Sequence, residues 1–301
     1  MDVLITGING FVGGYLFSRL KSPENKIYGL GEDASSSYPL DGYYPVDITK
    51  KFELKKEFDA VIHLAALNRT TIQTDIDSRI YHQVNVEGTR NLIQSCGYSK
   101  FIYISTAMVY LREHEIITEE SPVAPVGNYA KTKYEAELVC QSLIPEKQLI
   151  ILRPVNITGA GQKKMAAVPV FFERARNHET LELVVSPTKT MQLLDVLDFA
   201  QAISQCLCFP GSGIFNLAHE DSMTMLQLVN KILELCDSES SLILREKGVE
   251  THSVISAKKA GQELSWEASK TMNDVLNNYW ISLTAEKNIP YSPLQTGGMG
   301  K

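Results

Sequence analysis

Short apolar runs alternate along this chain with longer stretches in which apolar residues recur at helical spacing. The runs read as buried strands and the periodic stretches as amphipathic helices. Val3-Leu4-Ile5 opens the series and leads through a Gly-rich turn into a helix from Tyr15 to about Lys21. Lys26 to Leu30 reads as the second strand, Tyr43 to Val46 as the third, and Lys50 to Phe58 as a charged surface helix. Ala60 to Ala66 is a buried strand that ends in small residues, and a long helix from Asp75 to Cys96 follows. A strand at Phe101 to Ile104, a helix from Tyr129 to Leu143 and a strand from Gln148 to Leu152 continue the alternation. Such a rhythm predicts an α/β fold built on a doubly wound parallel sheet.

After Gly159 the rhythm loosens. Helices are expected at 168–177, 198–208 and 225–236, strands at 181–185 and 214–217, and helical stretches at 258–266 and 267–280. The chain divides on this reading into a nucleotide-binding domain, residues 1–155, with 192–213 returning to it. Residues 156–191 and 214–285 would form a smaller C-terminal α/β lobe over the carboxyl edge of the sheet. The polar stretch 286–301 reads as a mobile tail.

Charge and cysteine content narrow the class. A net charge of −6 over 301 residues, with no basic run, argues against nucleic acid and anionic membranes as partners. Five cysteines form no C-x-x-C pair, and Cys206 and Cys208 fall in an apolar helical stretch, which suits a reducing compartment. The first strand begins at the second residue, with no room for a signal peptide. No apolar run is long enough to span a bilayer, so a cytoplasmic location is expected. The glycosylation-like triplets at Asn68 and Asn156 are taken as chance.

The turn after the first strand is Thr6-Gly7-Ile8-Asn9-Gly10-Phe11-Val12-Gly13-Gly14. A strand, a Gly-rich turn and a helix is the setting a dinucleotide needs. Gly7 permits the tight turn, Gly10 lets backbone amides approach a pyrophosphate, and Gly13 lets the helix pack close to the sheet. At the end of the second strand stand Gly31, Glu32 and Asp33, with no nearby Arg or Lys to receive a 2′-phosphate. Two carboxylates there favour NAD over NADP, without excluding NADP. Asp47 and Ile48 follow the third strand, where an adenine could lie. Leu64-Ala65-Ala66 leave room for a ligand at the carboxyl end of theirs. His63 alone reads as a satisfied core histidine.

Tyr129 and Lys133 are four residues apart at the start of a helical run, so phenol and ammonium would share one face. The helix dipole and the neighbouring cation would both stabilise phenolate, bringing Tyr129 towards general acid–base work.

Taken together, TGINGFVG, the HLAA strand end, NVEGT, STAMVY, YAKTK, RPVNITG, DVLDFA, FNLA and the late LSW resemble the extended short-chain dehydrogenase/reductase family, in its NAD-dependent epimerase/dehydratase branch. The resemblance runs from Met1 to about Trp280 and implies a Rossmann-type domain with a substrate lobe. It implies that Thr106, Tyr129 and Lys133 are catalytic. Tyr129 would exchange a proton with the substrate, Lys133 would hold the nicotinamide ribose, and Thr106 would orient the reacting oxygen. NAD would be held by Gly7, Asn9, Gly10, Phe11, Val12, Gly13, Glu32, Asp47, Ile48, Leu64, Ala65, Ala66, Asn85, Ile104, Tyr129, Lys133 and Pro154. A nucleotide-sugar substrate would meet Thr106, Ala107, Met108 and Asn156. A homodimer is implied as well, through a four-helix interface with an apolar core made by the 75–96 and 129–143 helices. No metal is expected.

Departures from the family pattern shape the expected reaction. Dehydratases carry an Asp-Glu pair after the Thr; here those positions are Ala107 and Met108, which cannot move a proton. That leaves 4-epimerisation or reduction of a ketosugar, with a slight preference for reduction because the chain is short for an epimerase. Met191 takes the place of an Arg that grips the diphosphate in many members. Lys163, Lys164, Arg174 or Lys189 could serve instead, if they are more than solvated surface charges. Leu111 stands where a Gly is usual. A reductase of a non-nucleotide carbonyl compound and a non-catalytic dinucleotide-binding protein stay open as alternatives.

Overall fold

A computed structural model describes residues 1–68, 77–162, 166–245 and 252–285. The first half runs β1 (Asp2–Thr6), α1 (Phe11–Leu20), β2 (Lys26–Gly31), β3 (Gly42–Pro45) and β4 (Glu57–His63). It continues through α2 (Ser78–His82), a single π-helical turn (Gln83–Glu87), α3 (Gly88–Ile93), β5 (Gly97–Ile104), the short β6 (Ile116–Ile117) and α4 (Gly127–Leu143). The second half runs β7 (Leu149–Pro154), β8 (Asn156–Thr158), α5 (Ala167–Arg176), β9 (Leu181–Leu183), β10 (Thr190–Met191), β11 (Leu193–Asp195) and α6 (Val196–Cys208). It closes with β12 (Gly213–Leu217), β13 (Met223–Thr224), α7 (Met225–Leu235), β14 (Leu242–Leu244), β15 (Val254–Ile255), α8 (Lys258–Leu264) and α9 (Met272–Thr284).

Seven strands form one sheet in the order β12-β7-β5-β4-β1-β2-β3, every pairing parallel. Parallel strands require crossovers, and helices on both faces explain the buried apolar runs within β1, β4, β5 and β7 (residues 3–5, 60–62, 101–103 and 149–152). One face packs against α1, α6 and α8 through Leu16, Phe17, Ile62, Phe199, Phe215 and Trp266. The other packs against α3 and α4 through Val61, Leu92, Phe101, Ala136, Val139 and Ile151. The chain leaves β1 towards β2 on one side and later enters β4 on the other. The strand order therefore reverses beside the Gly-rich turn, where ligands of open α/β sheets bind.

A third apolar cluster, with Phe172, Leu183, Leu228, Ile232, Leu276 and Tyr279, is the core of the smaller lobe. Thr224 and Thr271 start its helices α7 and α9 with reciprocal capping boxes.

The structure corrects three local readings. Residues 50–56 are not helical, because Leu54 turns into the core and its amide donates to the Ser95 carbonyl (2.8 Å), drawing the segment out flat before β4. Charge spacing there mimicked a surface helix. The helix expected from Asp75 starts at Ser78 among the described residues and is interrupted by the π turn; Asp75 itself lies outside them. Residues 214–217 belong to the sheet as its edge strand β12, and α8 packs against β12 and α6, so the return to the sheet extends past residue 213. The tail expected at 286–301 also lies outside the described residues. Among the described residues, no helix is long and apolar enough to cross a membrane.

Candidate active site

Thr6 closes β1, and Gly7 turns the chain with φ +69°, where a Cβ would stand 3.0 Å from the Ala65 amide nitrogen. Gly7 donates its amide to Leu30 (2.9 Å) and accepts that of Gly10 (2.9 Å), so the turn is tied to β2. A Cβ on Gly13 would lie 2.1 Å from the Ile8 carbonyl oxygen; only glycine lets α1 sit this close to the turn. Helix α1 begins at Phe11 with no side-chain cap and no acidic residue in its first turn. Its leading amides are left for an anion, and the residues present therefore fit a pyrophosphate.

Around this turn stand the other cofactor candidates. Leu64, Ala65 and Ala66 run beside it, with the Ala65 amide donating to Thr6 Oγ1 (3.1 Å). Asn9 donates to the Asp33 carboxylate (2.8 Å) and the Ser35 carbonyl (3.0 Å), and accepts the Ser37 amide (2.9 Å). Asp33 is thus the carboxylate that the fold joins to the turn, whereas Glu32 is exposed at the end of β2. Asp47 spends its carboxylate on the Thr49 amide (2.9 Å) and hydroxyl (2.6 Å), bonds that hold its pKa below the usual range, while Ile48 is buried against Gly88.

Behind the turn runs a closed chain of polar groups. The Thr6 hydroxyl lies 2.7 Å from His63 Nδ1, and His63 Nε2 lies 2.9 Å from Thr89 Oγ1, which donates to the Asn85 carbonyl (2.7 Å). Because Thr89 already donates and Thr6 accepts the Ala65 amide, the ring carries its proton on Nε2 and accepts at Nδ1. Burial, helped by Lys133, pushes the imidazole down to about 3, so it stays neutral. Asn85 receives the Leu67 amide (2.7 Å) and donates to the Leu67 carbonyl (3.1 Å) and to Thr132 (3.0 Å). It joins the loop after β4 to α4.

The structure brings the catalytic candidates together. Thr106 follows β5, accepts the Met108 amide (3.2 Å) and lies close enough to the Tyr129 phenol to act on its pKa. Tyr129 stands in the first turn of α4, and Lys133 one turn later is buried with its ammonium 4.2 Å from the centre of the Tyr103 ring. Burial pushes the Tyr129 phenol up to about 12, against the Thr106 hydroxyl, which pulls it down. Burial likewise pushes Lys133 down to about 7. The expected lowering of Tyr129 is therefore reversed in the free protein. Desolvation outweighs the dipole, and the Lys133 charge is spent over Tyr103. Ile104 and Pro154, at the ends of β5 and β7, border this region.

On the substrate side, Ala107 is buried and Met108 exposed in the 3-10 turn after Thr106. Asn156 is exposed in β8, its amide 3.4 Å from the Gln192 carbonyl oxygen. Met191 packs on the lobe core, Arg174 reaches the Thr180 carbonyl at the surface (3.5 Å), and Lys189 is half-buried. Lys163 and Lys164 lie outside the described residues.

Sequence reasoning missed Glu137 and Arg153. Glu137 is fully buried one turn beyond Lys133 and accepts from Ser105 Oγ and from two nitrogens of Arg153. The spacing that picked out Lys133 from Tyr129, taken one step further, finds it.

Comparison with known proteins bears on this arrangement. A family model, the NAD dependent epimerase/dehydratase family, matches residues 3–218. The chain is 26% identical over 305 aligned residues to the low-salt glycan biosynthesis protein Agl12 of Haloferax volcanii, covering 92% of this chain and 96% of that one. A UDP-glucose 4-epimerase from Thermotoga maritima, solved with UDP-glucose, superposes with a TM-score of 0.82 at 19% identity, over 94% of this chain and 99% of that one. A UDP-glucuronic acid 4-epimerase from Bacillus cereus, solved with UDP-glucuronic acid and NAD, gives 0.81 at 19% identity with the same coverage.

Proposed function

The chain belongs to the NAD-dependent epimerase/dehydratase family, and on that premise we propose that it exchanges hydride at C4 of a nucleotide-linked sugar, as a 4-epimerase or a 4-ketoreductase. The observation that carries the reading is the convergence of Thr106 after β5 and Tyr129 in the first turn of α4, with Lys133 one helical turn behind and the Gly-rich turn at the reversal of strand order.

Thr106 orients the reacting oxygen towards the phenol. Tyr129 takes the hydroxyl proton as the carbon loses hydride and returns it when hydride comes back. Bound NAD supplies the acceptor and donor of that hydride. Held at about 12, the phenol is protonated at neutral pH and ready as the acid; work as a base needs its pKa brought down by the neighbouring ammonium. Gly7, Gly10 and Gly13, with the leading amides of α1, would hold the pyrophosphate, and Asp33, joined to the turn by Asn9, would serve the adenosine ribose. Ala107 and Met108 move no proton, so elimination of water lacks its acid and base.

Length does not decide between epimerisation and reduction. The length argument for a reductase loses its ground, because this chain spans 99% of a UDP-glucose 4-epimerase chain. The intact trio speaks against a non-catalytic dinucleotide binder, which would need the glycines alone. UDP-, dTDP- and GDP-linked sugars and their 4-keto forms, incubated with and without NADH, test the proposal. An epimerase interconverts the C4 epimers without added NADH, whereas a reductase consumes it in proportion to product. Absence of either reaction across the panel refutes this reading.

A further inference from the structure

Glu137 stands on the same stripe of α4 as Tyr129 and Lys133, each one turn after the last. It is 0% exposed and Lys133 is 2% exposed. Arg153, at the end of β7, donates to it twice, Nε to Oε1 at 3.0 Å and Nη2 to Oε2 at 2.5 Å. Ser105, which precedes Thr106, donates to Oε1 as well. The second face of the guanidinium network runs outward: Arg153 Nη1 donates to Tyr110 (2.8 Å), and the Tyr110 hydroxyl donates to Asn216 of β12 (2.7 Å). The pair therefore ties the carboxyl ends of β5, β7 and β12 to the helix that carries Tyr129 and Lys133.

Stability alone is a weak reason for such a pair, since desolvating two charges offsets most of their attraction and an apolar pair often does as well. Its placement gives a better reason. Among the described residues, no carboxylate touches the Lys133 ammonium, and burial by itself disfavours the charged form. The groups that act on Lys133 are His63 from β4, neutral; Tyr103 from β5, a phenol raised well above its ordinary pKa by burial; and Cys140 and Glu137 from its own helix, which Tyr129 precedes by one turn. Burial keeps Cys140 a thiol, so Glu137, held by Arg153 and Ser105, is the one carboxylate of this set.

We propose that Glu137 is a positioning residue for the reaction: locked by Arg153 and Ser105 one turn beyond Lys133, it is the fixed buried carboxylate that favours the ammonium form of Lys133 over the amine. This rests on the assignment of Lys133 to the site but not on the identity of the substrate, and the test is made on the full-length free protein.

The pH titration of the Lys133 side chain is followed by the ¹³Cε shift in lysine-labelled protein, the resonance being assigned by its loss in Lys133→Met. Glu137→Gln, which keeps the shape and removes the charge, should lower the Lys133 midpoint by about one pH unit or more, a tenfold change in its protonation equilibrium. Glu137→Asp should restore most of it. A purely structural ion pair would lower the melting temperature of Glu137→Gln and leave the midpoint where it was. A folded Glu137→Gln protein with an unmoved midpoint overturns the proposal. Should Glu137→Gln not fold, Arg153→Met decides instead: freed of its competing cation, Glu137 should raise the midpoint, and an unchanged value overturns the proposal equally. Failure to turn over any nucleotide sugar would refute the functional reading without touching this result.

Discussion

Thr6 Oγ1 stands 2.7 Å from Nδ1 of His63, fully out of solvent, across the register that pairs the ends of β1 and β4. The bond needs a neutral ring. In the unfolded chain the imidazole titrates near its ordinary value of about 6.5, and in the fold it resists protonation until about 3.

It follows that the unfolded state binds the extra proton below about pH 6.5. This group's contribution to stability is complete above that value and is lost as pH falls towards 3. The slope should approach about 1.4 kcal/mol per pH unit. Thermal melts between pH 7 and 4 of wild type and His63→Gln check this; the variant should be less stable at pH 7 and show a shallower acid slope.

Tyr129→Phe keeps the ring and should bind NAD(H) nearly as wild type does, while turnover falls by about 10²–10⁴. Thr106→Val should lower turnover with little change in cofactor affinity, and Lys133→Met should damage both. Nicotinamide fluorescence titration paired with initial rates separates the effects. Wild-type turnover in Tyr129→Phe would remove Tyr129 from the mechanism.

The glycines of the turn should divide cleanly. A Cβ on Gly10 meets only the Gly7 carbonyl, at 3.0 Å, so Gly10→Ala should fold with a melting temperature near wild type and lose dinucleotide affinity tenfold or more. A Cβ on Gly13 drives into the Ile8 backbone at 2.1 Å, and Gly13→Ala should be strongly destabilised or fail to fold. Circular dichroism melts with cofactor titration read both.

Cofactor choice is checked at Asn9 and Asp33. NAD(H) should bind more tightly than NADP(H), since the Asp33 carboxylate, held beside the Gly-rich turn by Asn9, would repel a 2′-phosphate. Asn9→Ala releases Asp33 and the 35–37 segment, and should weaken NAD(H) binding while narrowing its margin over NADP(H).

Helices α2 and α4 present three exposed apolar residues, Ile80, Leu138 and Leu143, with polar groups such as His82 and Glu135 beside them. A homodimer built there would have a more polar core than the sequence suggested. Light scattering at micromolar concentration should give a dimer mass, and Leu138→Glu should shift it towards monomer.

What could be read from the chain alone was whatever local chemistry determines. The Gly-rich turn and the Tyr129–Lys133 pair are spacing rules, visible without a partner. The Asn9–Asp33 bond, the Thr6–His63–Thr89 chain and the Glu137–Arg153 pair join residues brought close only by tertiary folding. Residues 50–56 misled for a related reason: their charges fit a helix, and only the burial of Leu54 beneath the sheet decided against it. The protonation states of Tyr129 and Lys133 depend on desolvation, which no spacing rule contains.

The π turn from Gln83 to Glu87, closed by the Gly88 amide on the Gln83 carbonyl, makes this stretch sensitive to length rather than to composition. Excising a single residue there would leave a more regular helix and a worse protein. A π turn uses one more residue per turn than an α turn, so excision would leave α2 nearly in phase with Gly88–Ile93 and change the faces presented only within 83–87. Tyr81 would keep its place in the core, whereas Asn85, inside the turn, would no longer meet Leu67 and Thr132 together. The extra residue acts as a register peg, and point substitutions on its solvent side should be tolerated where a one-residue deletion is not.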